Sequence, residues 1–431
     1  MSDANPSALS VRPRDGLRTP RVLVLSTHTP HIDRRILHEV NALSRSGREV
    51  TLVSVPAIIP RTLLDARVEL IMPEPAAPVE AEAQRPLLLR IGRKLPRPLR
   101  VLGGECLNRL AKLRQEFERR SADTNFFLAH TPPHPYDAIH CHDLPTLPAA
   151  SFIRWRSAHQ ARVIYDSHEL YPLQTTDRRL RRYWTRVERR YIRAADAVIT
   201  VNESIADELA SRYRIARPVV IYNSRDPSTP TRPLTREEFF QFFGTVSGGF
   251  NVLFQGSLAD DRNLANLAAA FGILGGDYRL FILGAGPAEE TIKQVQSQLR
   301  LENVYLGGWV EQDRLMQFTT HADLGVIPYV PNPGVLNMLY CTPNKLFEFI
   351  EAALPICASD LPELRKMVQE QGIGRVYNLT TAQSIAEALR DMRGRLARGE
   401  FPPERRAVVR EELGWPRQEQ ILLELYDRLG V

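Results

Sequence analysis

The sequence predicts an α/β protein made of two doubly wound parallel sheets that face each other across a cleft. Three features predict it. The chain has 431 residues, more than one ordinary core organises. Short, continuously apolar strands alternate with helical periods in two separate series. Between the series lies SRDPSTPTRP (224–233), whose Pro, Ser and Thr content is that of a linker.

In the first series, RVLVLS (Arg21–Ser26) reads as a strand buried on both faces. A polar turn, THTPHID, leads into a helix with apolar residues at Ile36, Leu37, Val40 and Leu43, which stops at Gly47. EVTLVSVP follows as a second strand, completing a βαβ unit. AIHCHD (Ala138–Asp143), RVIYDSHE (Arg162–Glu169), AVITVN (Ala197–Asn202) and VVIYN (Val219–Asn223) continue the pattern. In the second series the strands are NVLFQGS (Asn251–Ser257), YRLFILGAG (Tyr278–Gly286), NVYLGG (Asn303–Gly308), ADLGVIPY (Ala322–Tyr329) and PICASD (Pro355–Asp360). Two Rossmann-like domains are therefore expected, at 1–227 and 228–413, with ligands at the carboxyl ends of the strands. Residues from about 57 to 130 are rich in Pro and Arg and read as an insertion with one or two amphipathic helices, longer than a connection needs.

Composition narrows the class. With 43% hydrophobic and 25% charged residues the chain has globular composition, and no window nears the ~18 uninterrupted apolar residues of a membrane span. The polar start, MSDANPSALSVRPRDGL, has no hydrophobic segment of the secretory type, so a cytoplasmic location is expected. Cys106, Cys141, Cys341 and Cys357 have no metal-site spacing and read as reduced, buried thiols. The net charge of +6 is uneven. Arg85–Arg120 holds eleven Lys/Arg against three Glu, and Arg178–Arg193 holds eight Arg against Glu188 alone. Such blocks suit anionic lipid head groups, although a charged helix face is commonly just solvated. No nucleic-acid-binding motif accompanies them, so nucleic acid is not an expected partner.

The chemistry concentrates in PNKLFEFIEAALP (Pro343–Pro355). A helix starting near Asn344 would point its positive end at a diphosphate, and the Glu348 carboxylate could accept from both hydroxyls of a vicinal diol. The plain alternative is an i,i+3 pair between Lys345 and Glu348. The segment resembles the donor-binding segment of family 4 glycosyltransferases of the GT-B fold, in the branch reading P-N-K-L-F-E-Y-x-x-A-G-L-P. The resemblance implies that Glu348, seven residues before Pro355, binds the donor ribose, with Asn344, Leu346 and Phe347 beside the nucleotide and Lys345 at its diphosphate. Much of the family carries a second, sugar-contacting glutamate eight positions earlier, where this chain has Tyr340. That contact falls to another group, such as a backbone amide between Asn337 and Cys341, and Glu351 reads as packing or surface.

FQGSLADDRNL (Phe254–Leu264) resembles the first strand and loop of the family's second domain. Gly256 and Ser257 would line the donor, and Arg262 stands at the basic position, its alternative being a local pair with Asp260 or Asp261. GAGP lacks the third glycine of a dinucleotide fingerprint; by resemblance Gly284 and Gly286 line the nucleotide site, and Gly308 and Trp309 lie where the base is held. In the first domain IHCHDLP resembles the family's H-x-H strand end. His142, with Asp143 beside it, is the expected contact to the donor sugar, and His168 and Glu169 end the adjacent strand facing the same cleft. Asp33, Arg35 and Glu39 match the family's D-x-R-V/I-L-x-E start, and Asn223 its interdomain asparagine. The closing segment with Trp415 (414–431) resembles a helix crossing back to the first domain.

The resemblance implies a retaining hexosyltransferase that uses a nucleotide-diphosphate sugar. No Asp-x-Asp ends a strand, and Arg262 can replace a cation's charge, so no metal and no other cofactor are expected. The expected partners are the donor, a carbohydrate or lipid-linked acceptor of cell-surface polysaccharide or glycolipid synthesis, and an anionic inner membrane face. Alternatives are an inactive nucleotide-sugar-binding partner protein, a nucleotide-sugar epimerase, or a transferase acting on a secondary metabolite or a protein.

Overall fold

Seven parallel strands make the N-terminal sheet: β1 (Arg21–Ser26), β2 (Glu49–Ser54), β3 (Glu69–Ile71), β4 (Ala138–His142), β5 (Arg162–Ser167), β6 (Ala197–Thr200) and β7 (Val219–Val220). Their order is β3-β2-β1-β4-β5-β6-β7, with the first strand central and the order reversing at β1/β4. The structure is a computed structural model describing residues 18–73, 117, 120–157, 161–227, 234–311, 314–330 and 334–431. Six further parallel strands form the C-terminal sheet: β8 (Phe250–Gln255), β9 (Tyr278–Leu283), β10 (Val304–Gly308), β11 (Leu324–Ile327), β12 (Ile356–Ser359) and β13 (Gly374–Tyr377). It repeats the arrangement as β10-β9-β8-β11-β12-β13. Both sheets are nearly solid apolar runs because helices cover both faces.

The helices that position the site are α1 (Arg34–Arg45), α2 (Leu147–Arg156), α3 (Arg178–Tyr191), α4 (Glu203–Tyr213), α5 (Leu264–Leu274), α6 (Ala288–Leu299), α7 (Asn344–Glu351) and α8 (Trp415–Leu429). Side chains fix where several begin. Asp33 caps α1 through Arg35 N, Asp177 caps α3, and Asn202 caps α4 through Ile205 N at 2.9 Å. The predicted crossing helix is α8: Trp415, Leu422, Leu425 and Tyr426 are buried with Ile36, Val40 and Leu43 of α1. The Trp415 ring lies 4.9 Å from His38, and the Tyr426 hydroxyl is 2.9 Å from His140 Nδ1.

Two strands lie beyond those predicted. β3 pairs with β2 inside the segment read as an insertion from 57, so the sheet continues to Ile71 before the chain departs. β13 closes the second sheet beside β12. The amphipathic run at 87–104 and Cys106 lie outside the described residues, as does most of the Arg85–Arg120 block; 120–130 is helical. The remaining cysteines, Cys141, Cys341 and Cys357, are free. Among the described residues no helix is long and apolar enough to cross a membrane.

Candidate active site at the domain junction

The carboxyl ends of β1, β4 and β5 supply the N-terminal wall. His142 and Asp166 are register partners at the ends of β4 and β5, and α1 lays Arg35 against them. Arg35 donates to both oxygens of Asp166, at 2.7 and 2.9 Å, and to the Ile221 carbonyl at 2.6 Å; its Nε also lies 3.1 Å from Glu39. A buried guanidinium needs this degree of pairing. Burial pushes the Glu39 carboxyl up to about 8. It also pushes His142 down to about 4. For His168 burial acts the same way, but Asp143 and Asp166 outweigh it and hold the imidazolium up to about 10. His168 Nε2 is 3.2 Å from Asp166, and His28 Nε2 is 2.7 Å from Asp143. Asp143 sits at φ 63°, a left-handed conformation sustained by its contacts to His28 and the His168 amide.

The C-terminal wall is organised by β8, its following loop and α7. Lys345 is buried with its Nζ 3.1 Å from the Tyr329 hydroxyl and 3.9 Å from the Phe254 ring centre. Burial, followed by the neighbouring Arg262, pushes its ammonium down to about 7. Arg262 lies over the Tyr329 ring at 4.2 Å and pairs with Asp261 at 3.0 Å. Gly284 and Gly286 draw this loop against the next: a Cβ on Gly284 would come 1.9 Å from the Gly256 carbonyl, and one on Gly286 2.6 Å from that of Leu258.

The walls meet through named pairs. Arg34 of α1 donates across the junction to Glu348 Oε1 at 3.1 Å, while Gln255 of β8, on Glu348's own wall, donates to Oε2 at 2.5 Å. Asn223 Nδ2 donates to Asn344 at 2.9 Å, and Asn202 Nδ2 to the Tyr340 carbonyl at 2.7 Å. Between the walls is a cavity of about 260 Å³ bordered by His168 and Glu169 on one side and Arg262, Tyr329 and Asn337 on the other.

Several expected site residues thus converge, and others do not. Lys345, Arg262, Gly256, Gly284, Gly286 and Glu348 gather on one wall, and Ser257 is exposed beside them. Lys345 makes no i,i+3 ion pair with Glu348, whereas the alternative pair of Arg262 with Asp261 is present. His142 is a correction: it is fully buried under His168, stacked on His140 at 4.6 Å, so His168 is the histidine that borders the cavity. Leu346 and Phe347 are a second correction, because their side chains are buried in the C-terminal core and leave the site only backbone. Gly308 is at φ 70° with its carbonyl accepting from Gly284 N at 2.7 Å, and Trp309 is 61% exposed. Tyr340 packs against the N-terminal core. Arg34, Gln255, Tyr329 and His28 escaped sequence analysis; the Arg34–Glu348 pair spans 314 positions, beyond any motif. Two metal-competent groups also form, Glu39/His140/His142/Asp166 and His28/Asp143/His168, each with donor atoms within 4.8 Å of one another. In the first, His140 lies 3.3 Å from Glu39 and His142 3.2 Å from Asp166; in the second, His28 and His168 both face Asp143, at 2.7 and 3.7 Å.

Two facing Rossmann-like domains with a polar cleft and a helix crossing back are the GT-B architecture. The Glycosyltransferase Family 4 sequence model matches residues 32–229, and that of Glycosyl transferases group 1 matches 249–393. The chain belongs to the family 4 glycosyltransferases. It is 24% identical over 264 residues to the alpha-maltose-1-phosphate synthase of Mycolicibacterium smegmatis, a match covering 57% of this chain and 66%, just under two thirds, of that protein. Among solved structures, sucrose-phosphate synthase from Thermosynechococcus elongatus superimposes with a TM-score of 0.66 at 16% identity, covering 95% of this chain and 99% of that one. Anabaena Alr3699/HepE in complex with UDP gives 0.65 at 15% identity, covering 95% and 100%. These likenesses show the shared fold.

Proposed function

We propose that the chain moves a hexosyl group from a nucleoside-diphosphate donor to an acceptor hydroxyl, retaining the anomeric configuration and requiring no metal. The observation that carries this reading is Lys345, a buried cation with no carboxylate at ion-pair distance among the described residues, next to Arg262. A diphosphate would bring Lys345 the counter-charge it lacks, with Arg262 beside it and the amino end of α7 assisting. Solved relatives hold UDP and UDP-glucose, which supports a donor of this kind. Glu348 would bind the ribose: Arg34 and Gln255 each use one of its oxygens, and a carboxylate has about four acceptor sites.

In this mechanism Arg262 and Lys345 stabilise charge building on the departing diphosphate. The acceptor hydroxyl attacks from the same face and passes its proton to the leaving phosphate oxygen. His168, held protonated by Asp143 and Asp166, would orient the sugar from the N-terminal wall. The acceptor proposed is a carbohydrate or lipid-linked one in cell-surface polysaccharide or glycolipid synthesis. Its support is the exposed arginine row Arg178, Arg182, Arg186, Arg189 and Arg193 on and just after α3, which packs against α2, itself exposing Phe152 and Trp155; such surfaces suit the anionic cytoplasmic face of a membrane.

The test is UDP release from UDP-glucose by EDTA-treated protein, with the anomer first formed read by NMR. Release should persist in EDTA and the first anomer should match the donor. A strict requirement for added Mg²⁺ or Mn²⁺, a trapped glycosyl-enzyme, or an inverted product would contradict the mechanism.

A further inference from the structure

The cavity between the walls is bordered by chemically different groups. Arg262 and Tyr329 form the cationic edge assigned above to the diphosphate, and Glu169 borders the same cavity from the N-terminal wall. The transferred sugar is bonded directly to that diphosphate, so it must occupy the adjoining space. About 260 Å³ accommodates a single sugar ring.

The wall's ionisable groups differ in what already occupies them. His168 is committed to Asp143 and Asp166, and Asp261 to Arg262. Glu169 has no ion-pair partner among the described residues. Its Oε2 accepts from Asn337 Nδ2 at 3.1 Å, and its Oε1 accepts from the Gln174 amide. Asn337 is itself fixed, since its Oδ1 accepts from the Leu170 amide at 2.8 Å. Neutral amides therefore aim the carboxylate without neutralising it, and about half its acceptor capacity stays open. Val201, Ile205 and Met338 border the same space. A carboxylate beside an apolar surface suits a hydroxylated ring with one apolar face.

We propose that Glu169 is the residue that binds the hydroxyls of the donor's sugar, reaching across the cavity from the N-terminal domain while Asn337 of the other domain positions it. This rests on the transferase reading. Burial, reinforced by Asp143, pushes the Glu169 carboxyl up to about 7, so its acceptor strength varies near neutral pH. The plain competitor is a strut: the contact of Glu169 with Asn337 would then only hold the domains together.

Calorimetric titration with UDP and UDP-glucose, and with GDP and GDP-mannose, separates these. In Glu169→Gln the diphosphate affinity should stay within about twofold of wild type, while the matching nucleotide sugar weakens by about tenfold to a hundredfold. Asn337→Ala, which removes the strut but keeps the carboxylate, should weaken the nucleotide sugar less than Glu169→Gln does. If wild type binds a diphosphate and Glu169→Gln leaves the nucleotide sugar's affinity unchanged, the Glu169 assignment is overturned while the transferase reading stands. Equal losses for diphosphate and nucleotide sugar in both variants would make Glu169 a strut and also overturn it. Wild type that binds none of the four, nor ADP or ADP-glucose, overturns the transferase reading and this one with it.

Discussion

On the N-terminal wall the buried Arg35 guanidinium meets Asp166 at 2.7 and 2.9 Å and Glu39 at 3.1 Å. On the C-terminal wall the buried Lys345 ammonium meets, among the described residues, a tyrosine hydroxyl at 3.1 Å and two aromatic faces. The N-terminal wall matches Arg35 with carboxylates of its own domain; the C-terminal wall leaves Lys345 under-compensated beside the cleft. The first pattern is that of a scaffold and the second supports the proposed anion site, because a buried charge without a counter-charge favours any ligand that supplies one. Sequence similarity to a family cannot make this distinction for individual residues, whereas burial and hydrogen-bond partners can.

The comparison breaks most visibly at Asp166. Asp166→Asn removes the carboxylate that holds the buried Arg35 at two points and leaves it Glu39 and the Ile221 carbonyl, so urea unfolding should show about 3–5 kcal/mol less stability. Nucleotide affinity of the folded protein should stay within about twofold, since the network is internal to the other wall. Lys345→Met should do the reverse. Affinity for a nucleotide diphosphate should fall by roughly a hundredfold by calorimetry, with stability unchanged or raised by about 1 kcal/mol as an apolar chain replaces a buried ammonium beside Phe254.

A smaller effect concerns pH. In the free protein Lys345 is pushed down to about 7, and a bound diphosphate must raise it again. Binding therefore takes up a proton above that value. Affinity for UDP-glucose, whose diphosphate diester does not titrate here, should be full below about pH 7 and fall as pH rises, by at most about tenfold per unit. Lys345→Arg, which stays charged throughout, should bind with a flat profile. A wild-type profile as flat as the arginine variant's would mean that Lys345 does not meet the ligand.

Both sheets were legible because buried parallel strands write themselves as unbroken apolar runs, as in RVLVLS and YRLFIL. ELI at β3 and GRVY at β13 are too short or too mixed to stand out. Within the site, Lys345 and Glu348 were legible because one helix carries both in a single motif. His142 was misjudged for a physical reason: the end of a strand is visible in sequence, but whether the next loop covers its side chain is not. Here His168 covers it. Arg34 was illegible beside Arg35, since adjacent helix positions face different partners, one crossing the cleft to Glu348 and the other buried against Asp166.

The central claim is that the C-terminal wall holds a nucleoside diphosphate through Glu348, Lys345 and Arg262. The most direct measurement is thermal unfolding of wild type and Glu348→Ala with UDP, GDP and ADP and their sugar conjugates. Wild type should be stabilised by one nucleotide family, by about 2.7 kcal/mol at a hundred times its Kd, and Glu348→Ala should lose that stabilisation. No stabilisation by any of these ligands, or an equal stabilisation in Glu348→Ala, would contradict the account.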